Sequence, residues 1–243
     1  MSKLQTCFER YEKKYLLTPE QYHATLLGMA PYMKPDAYPR YSISNVYYDT
    51  ENFDLIRASL EKPVYKEKLR MRSYGVPGSQ DPVFVELKKK YEGVVYKRRI
   101  TMKMQAASNY LRGVQKGNGS QIGHEIDYFM RLYRPEPKVF IAYDRDAYAA
   151  ADGSELRITF DTALRARSND LDLRFGDHGI PLLDDDLYLM EVKIPGAAPL
   201  WLARLLSENE IFPTSFSKYG AFFRQFVLGS KSAEIKTEVI LSA

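Results

Sequence analysis

The sequence predicts an α+β fold, in which helices surround an antiparallel β-sheet of about seven or eight strands. Several segments alternate apolar and polar residues with period two, which is typical of half-buried strands. Residues 82–103 contain two such segments around a turn near Glu92-Gly93, which predicts a hairpin. We see no repeat, linker or break in composition over the 243 residues. We therefore expect one domain over residues 1–243, with a loosely attached tail at 230–243.

The first elements carry clear helix and strand signals. Thr18 is a candidate N-cap, with Pro19 in the first helical position and Gln21 in the third, which predicts a helix over residues 19–33. We expect its apolar stripe to consist of Tyr22, Leu26, Leu27 and Met29. The segment RYSISNVYYDT alternates from residue 40 and predicts a strand, after which Thr50 caps a short helix in ENFDLIRASL and YKEKLRMRSYG forms the next strand.

The second half of the chain repeats this mixture. Residues 104–134 are predicted to be helical, with a break in the loop QKGNGSQIG. Strands are predicted in PKVFIAYDRDAYAA, SELRITFDTALRAR and DLYLMEVKIPG, with an acidic loop over residues 169–186 before the third. Two helices follow, PLWLARLLSENE and SFSKYGAFFRQFVLG, and the second begins near Ser215 or Ser217.

Composition excludes several classes of site. The single cysteine, Cys7, permits neither an internal disulfide nor a thiolate metal cluster, and we expect it to be buried. The three histidines lack metal-ligand spacing and no nucleophile motif is present, which disfavours a hydrolase with a side-chain nucleophile. There is no signal sequence and no apolar run of about 18 residues, so we expect a cytoplasmic protein without a membrane segment of its own.

Charged residues alternate along many of the predicted strands. In YKEKLRMRSYG every second residue is basic, and a strand places such residues on one face. Similar rows are formed by Arg10, Glu12 and Lys14; Glu86, Lys88 and Lys90; Lys97 and Arg99; Arg145; Arg157 and Asp161; and Glu191 and Lys193. For any one strand, a solvated face is the simpler interpretation.

Taken together, the rows favour a closed or nearly closed barrel with its cations inside. Like charges on opposed strands repel, and buried charge needs compensation, so the expected filling is a polyanion such as a chain of phosphates. Carboxylates in such a site suggest Mg²⁺ or Mn²⁺. Glu191 and Glu86 are the leading candidate ligands, followed by Glu12 and Asp161, although an internal salt bridge is an equally good explanation for each.

The chain resembles a known family through eight motifs in order. They are FERYEKKYLL, SNVYYDT, EKLRMRSYG, VFVELKKKYEG, AYDRDAY, LRITFDT, MEVKIPG and FSKYG. These motifs resemble the vacuolar transporter chaperone (VTC) domain, the polyphosphate polymerase branch of the triphosphate tunnel metalloenzymes. The resemblance implies an eight-stranded antiparallel β-barrel, the triphosphate tunnel, with surrounding helices. It also implies a metal-dependent transfer of the terminal phosphate of ATP to a growing inorganic polyphosphate chain.

The same resemblance implies roles for individual residues. Phosphate-path residues with a catalytic role would be Arg70, Arg72, Lys88, Lys97, Arg145 and Arg157. Substrate-binding residues would be Lys14, Lys68, Arg99, Tyr143, Lys193, Ser217 and Lys218. Metal ligands would be Glu191, Glu86 and Glu12, with Mn²⁺ or Mg²⁺ as the cofactor. The match near Lys97 leaves Arg98 or Arg99 as alternatives. Arg10 replaces the first carboxylate of the family's Glu-x-Glu-x-Lys pattern, which argues against a two-metal hydrolase.

Other functions stay open at this stage. A tunnel tripolyphosphatase or nucleoside triphosphatase would share the architecture, and a non-catalytic polyphosphate or nucleotide sensor would share the binding site. A nucleic-acid surface is disfavoured because the cations alternate within strands instead of forming an exposed stripe with aromatic platforms. Expected partners are ATP and polyphosphate, and any export role would need a separate membrane partner.

Overall fold

The computed structural model describes residues 11–229 except Gly93, Asn118, Asp185 and Pro195. The predictions for Cys7, Arg10 and the tail at 230–243 lie outside the described residues. The strands are β1 (Tyr11–Leu17), β2 (Met33–Asp49), β3 (Tyr65–Tyr74), β4 (Pro82–Tyr91), β5 (Val94–Lys103), β6 (Glu136–Ala150), β7 (Arg157–Arg167), β8 (Ile180–Pro181) and β9 (Tyr188–Ile194). The helices are α1 (Pro19–Met29), α2 (Asp54–Leu60), α3 (Met104–Leu111), α4 (Gln121–Tyr133), α5 (Leu200–Glu208) and α6 (Lys218–Phe222), which continues as a π-helix over Phe223–Leu228.

The strands form one antiparallel sheet that is open at its two ends. Eight strands follow the order β1-β9-β7-β6-β2-β3-β4-β5, and the short β8 pairs with β7. No pairing joins β1 to β5 among the described residues, so the predicted closed eight-stranded barrel is wrong. The sheet is nevertheless strongly curled. The curl brings Lys88 on β4 within electrostatic reach of Glu12 on β1. Alternation identifies the two faces of a sheet, but it does not determine whether its edge strands meet.

The outer face of the sheet is apolar and packs under helices. Leu69, Met71, Val83, Val85 and Leu87 are buried, as predicted. They belong to one core cluster with residues of α3 and α4. A second cluster joins β7 and β9 to α1 and α5. The opposite residues on β3 and β4 therefore face into the curl, which we call the trough.

The first helix confirms its capping signals. The Thr18 side chain accepts a hydrogen bond from the Gln21 backbone, and the Gln21 side chain accepts one from the Thr18 backbone. The helix ends at Met29, before its predicted end, because residues from Met33 onward pair with β6. Leu27 is 78% exposed and does not belong to the buried stripe.

An apolar plug fills one end of the trough. Residues of α2 and α6, including Ile56, Tyr219 and Phe222, pack against the inward residues Val139 and Ile141 of β6. We call this cluster the plug. It occupies the end of the trough at which β2 finishes and β3 begins.

The buried carboxylate of Asp49 joins the two helices of the plug. It accepts hydrogen bonds from the backbone amides of Thr50, Leu55 and Ile56 at 2.8, 2.9 and 3.0 Å. It also accepts one from the Tyr219 hydroxyl at 2.9 Å. The predicted cap, Thr50, accepts from the Asp54 amide at 2.9 Å and so shares this task with Asp49. None of the described helices is both long enough and apolar enough to cross a bilayer.

We predict that Asp49→Ala destabilises the protein by about 3 kcal/mol, because the buried Leu55 and Ile56 amides lose their acceptor. The measurement is urea denaturation followed by circular dichroism, with the exposed Glu51→Ala as the control. Equal midpoints for the two variants would contradict this role of Asp49.

Candidate functional site

The basic row of β3 points into the trough. Lys66, Lys68, Arg70 and Arg72 share a face, while Leu69 and Met71 are buried against the helices on the other side. Arg72 is only 7% exposed. The inward orientation follows from packing, since the apolar residues between the cations are the ones that the helices cover.

Glu86 neutralises three of the trough cations. Its carboxylate lies 2.7 Å from an Arg70 nitrogen, 3.8 Å from Arg72 Nε and 2.6 Å from Lys97 Nζ. Burial opposes ionisation of Glu86, but the three cations outweigh it and lower the pKa to about 2. The sequence left open whether Glu86 is a metal ligand or forms an internal salt bridge. In the structure Glu86 forms internal salt bridges.

Two residues of β2 hold these arginines, and the sequence reasoning missed both. Asn45 Oδ1 accepts from Arg72 Nε at 2.9 Å, and the Tyr47 hydroxyl accepts from Arg70 Nη1 at 3.1 Å. Burial raises the pKa of Tyr47, but Arg70 and Arg72 outweigh it and lower the pKa to about 8. The signal was present in SNVYYDT, where Asn45 and Tyr47 alternate toward the same face.

A second ion cluster lies on β6, β7 and β9. The Arg145 guanidinium contacts both oxygens of Asp161 at 2.5 and 2.7 Å, and Glu191 Oε2 at 3.0 Å. Lys218 Nζ lies 2.5 Å from Asp161 Oδ2 and 3.3 Å from Glu191 Oε1. Lys14 Nζ is 3.4 Å from Glu191 Oε1. These three cations hold the pKa of Glu191 well below its usual value despite burial.

Tyr143 connects the two clusters. Its hydroxyl accepts a hydrogen bond from Arg72 Nη2 at 3.3 Å, and its ring lies 4.3 Å from Lys218 Nζ and 5.3 Å from the Arg145 guanidinium carbon. Lys218 begins α6, whose N-cap Ser217 accepts from the Gly220 amide at 3.2 Å. The residues expected around the phosphates from β3, β4, β6, β9 and α6 therefore lie together.

Several lysines of the trough, among them Lys68, Lys88 and Lys193, have no carboxylate salt bridge among the described residues. Burial lowers the pKa of Lys68 to about 8, and burial also lowers the pKa values of Lys88 and Lys193. Lys68 Nζ donates to Ser217 Oγ at 3.4 Å, which joins the β3 row to the start of α6. These lysines supply positive charge that the described carboxylates leave without a direct ion-pair partner.

Two further candidates from the sequence, Arg98 and Arg157, lie away from the two ion clusters. Arg98 turns to the outer face, where its Nε is 3.7 Å from Glu125 on α4, so Lys97 and Arg99 are the inward residues of β5. Arg157 forms an ion pair with Asp36, and 44% of its side chain is exposed.

The described carboxylates fit a metal only together with phosphate oxygens. No group of three or more histidine, cysteine or acidic side chains suited to a metal occurs in the described part of the chain. Glu12 and Glu191 lie on adjacent strands and are close enough that Glu191 opposes ionisation of Glu12. One or two carboxylates completed by substrate phosphates form a common type of Mg²⁺ site. Glu86 is less suited to bind a metal ion, because its carboxylate already forms ion pairs with three cations.

A family model shows which protein family this chain belongs to. The model described as the VTC domain matches residues 9–227, which include the described elements from β1 to the π-helical turn. The chain belongs to the VTC domain family. Its family resemblance at the level of motifs is thereby confirmed.

Curated relatives carry the same name. This VTC domain is 30% identical over 220 residues to vacuolar transporter chaperone complex subunit 4 of Trypanosoma brucei brucei, and 26% identical over 218 residues to that of Trypanosoma cruzi. Each match covers 73% of this chain and 27% of the relative. The chain thus matches about a quarter of the length of these relatives.

Solved structures support the fold. A candidate adenylate cyclase from Bacillus halodurans superposes with a TM-score of 0.56 at 14% identity, covering 91% of this chain and 99% of that one. A candidate adenylyl cyclase from Hippeastrum, which has a dominant triphosphatase activity, gives 0.50 at 18% identity over 88% and 94% of the two chains. At these identities the likeness concerns the fold alone.

We predict that Glu86→Gln destabilises the protein by about 2 kcal/mol near neutral pH, because Arg70, Arg72 and Lys97 then repel without a counter-charge. Inorganic tripolyphosphate should restore much of the loss by supplying that charge. Thermal unfolding with and without tripolyphosphate measures both effects.

The outer-face variant Glu125→Gln, which loses its contacts to Lys89 and Arg98, is the control. The folded-state pKa of Glu86 is depressed, so its stabilisation is present above the ordinary carboxyl pKa and is lost as the pH falls toward about 2. A difference between wild type and Glu86→Gln that persists unchanged in strong acid would contradict this account.

Proposed function

We propose that this VTC domain is a polyphosphate polymerase that transfers the terminal phosphate of ATP to a growing polyphosphate chain in the trough. The observation that carries the proposal is the excess of inward cations over carboxylates in a VTC domain, including three lysines without a carboxylate salt bridge among the described residues. A linear polyanion supplies compensating charge along several strands at once, which a single small anion does not.

The proposed phosphoryl transfer requires mainly that the protein position the phosphates and neutralise their charge. Arg70, Arg72 and Arg145 offer forked donors to phosphate oxygens, while Lys68 and Lys88 act as point charges. Such fixed cations stabilise the charge that spreads over the transferred phosphoryl group. The end of the polymer is already ionised, so the attack requires no general base. This agrees with the lack of a histidine or cysteine among the described trough contacts.

Glu12 and Glu191 are the proposed ligands of Mn²⁺ or Mg²⁺, which when bound with the substrate supplies further neutralisation of phosphate charge. Lys218 contacts Glu191 and Asp161 in the described structure. We propose that Lys218 contacts the phosphates instead once substrate is bound. Glu191 is then available to bind the metal ion.

The cellular setting is also a proposal. The relatives are named as subunits of a complex, and this chain matches about a quarter of their length. We propose that it acts in the cytoplasm and that a separate membrane partner, if the polymer is exported, receives it.

We predict that ATP with Mn²⁺ yields long polyphosphate, and that Lys88→Ala, Arg70→Ala and Glu191→Gln each reduce the yield at least about a hundredfold because they remove charge at the phosphates. The neighbouring Lys89→Ala is a matched control, since Lys89 faces outward and pairs with Glu67 and Glu125. Products are measured on a gel stained for polyphosphate.

Release of orthophosphate without polymer would replace the proposal with a tunnel triphosphatase. Tight ATP or polyphosphate binding without turnover in any divalent metal would replace it with a sensor. Equal polymer yield from Lys88→Ala and Lys89→Ala would refute the assignment of the trough as the site.

We predict that tripolyphosphate binding takes up protons near pH 8 and weakens as the pH rises toward about 9. The free protein has Lys68 and Tyr47 with pKa values of about 8, and a bound anion favours charged lysine and neutral tyrosine. Both groups therefore bind protons when the anion binds. Calorimetry in buffers of different ionisation enthalpy measures the uptake, which Tyr47→Phe should reduce; proton release would contradict the prediction.

A further inference from the structure

One hydroxyl on the inner face of the trough makes no hydrogen bond among the described residues. Thr159 on β7 is 2% exposed, and its Oγ1 is buried without a partner there. It lies between Arg157 and Asp161 on the inner face, because alternate residues of a strand share a face. Burying a hydroxyl without a partner costs free energy, and a functional site is one of the known reasons for keeping such a group.

Two other described side-chain oxygens are buried without a hydrogen bond, and neither raises the same question. Glu86 Oε1 lies 2.6 Å from Lys97 Nζ, so an ion pair compensates its burial. Ser44 Oγ belongs to the outer face of β2, since the next residue, Asn45, faces the trough and contacts Arg72 there. Thr159 is therefore the one of these three that offers a free hydroxyl to the trough.

Thr159 is the direct cross-strand neighbour of Glu191. The two residues are paired between β7 and β9, and the residue paired with Glu191 on its other side is Lys14 of β1. Side chains paired in this way on one face have Cβ atoms about 4.5–5.5 Å apart. On β6 the residue paired with Thr159 is Ala147, whose side chain has no hydrogen-bond acceptor. Of the two residues paired with Thr159, only Glu191 has a side chain that accepts a hydrogen bond.

The described ion pairs of Glu191 are all made with cations that the proposed function uses elsewhere. Lys14 and Lys218 contact its Oε1, and Arg145 contacts its Oε2. In the proposed reaction Lys218 and Arg145 bind phosphate oxygens, which takes charged donors away from the carboxylate. A carboxylate that binds a metal ion is commonly oriented by a hydrogen bond from a neighbouring group. A neutral hydroxyl suits this task, because phosphate attracts it less strongly than it attracts a cation.

We infer that Thr159 is a positioning residue for Glu191. Its hydroxyl donates to the Glu191 carboxylate when the cations contact the phosphates, and it thereby orients that carboxylate for the metal ion. The inference rests on the proposed function and adds a residue to its metal site. It also gives the buried hydroxyl a partner in the loaded protein, which the free protein does not provide among the described residues.

The test compares Thr159→Val, which removes the hydroxyl and keeps the shape of the side chain, with Thr159→Ser, which keeps the hydroxyl. Calorimetry measures binding of inorganic tripolyphosphate with Mn²⁺ and, separately, with a chelator. We expect Thr159→Val to bind tripolyphosphate about tenfold more weakly with Mn²⁺ and as tightly as wild type without metal. Thr159→Ser should stay within about twofold of wild type under both conditions.

Two further measurements separate positioning from a structural role. Without ligand, Thr159→Val should unfold at the same temperature as wild type or at a higher one, because it no longer buries an unpaired hydroxyl. In a Glu191→Gln background, Thr159→Val should cause no further loss of Mn²⁺-dependent binding, because it acts through that carboxylate. The matched control is Thr162→Val, since Thr162 is on the same strand but is paired with Asp144 on the outer face.

Equal weakening by Thr159→Val with and without metal, or no weakening with Mn²⁺, would overturn the inference. So would a lower unfolding temperature of the free variant. A wild-type protein that makes no polymer, while Thr159→Val still shows the loss specific to Mn²⁺, would count against the proposed function alone. Polymer synthesis together with unchanged Mn²⁺-dependent binding in Thr159→Val would count against this inference alone.

Discussion

The repulsion between inward cations is the constraint on which the rest of this structure depends. Arg70, Arg72 and Lys97 converge on the single carboxylate of Glu86. Arg145, Lys218 and Lys14 converge on Glu191 and Asp161. Without these carboxylates the curled sheet would bring like charges together in a medium that screens them poorly. The carboxylates reduce this repulsion, and in the proposed function a bound polyanion compensates the lysines that have no carboxylate partner among the described residues.

The plug connects that charge balance to the apolar core. Lys218 and Tyr219 are consecutive residues at the start of α6, and one reaches the trough carboxylates while the other donates to Asp49. Asp49 in turn holds the first turn of α2. The position of Lys218 is thus set by packing and by hydrogen bonds on the far side of α6. The hydrogen bonds of Asp49 thus help to hold Lys218 beside the trough carboxylates.

Such an arrangement suits the transfer of phosphate between two anions. In the proposed reaction neither reactant needs a proton removed by the protein, and the described residues of the trough form fixed donors without a nucleophile–base pair. The trough also differs from end to end, with π surface at Tyr74 and Phe84 and ammonium groups at Lys66 and Lys90.

Most of the strands, their two faces and most of the charged residues that meet in the trough could be predicted from the sequence alone. Period-two alternation is a local property, so Leu69 and Met71 could be assigned to one face and Arg70 and Arg72 to the other. The capping box at Thr18 and the hairpin at residues 82–103 were local in the same way.

Tertiary structure alone decided what depends on distant partners. Over the described residues the sheet edges at β1 and β5 do not pair. Glu86 forms ion pairs with three cations, and Asn45 and Tyr47 accept hydrogen bonds from the arginines. The physical reason is that a strand's pattern gives the direction of each side chain but not its neighbours. Those follow from the curl of the sheet and from the helices that fill it.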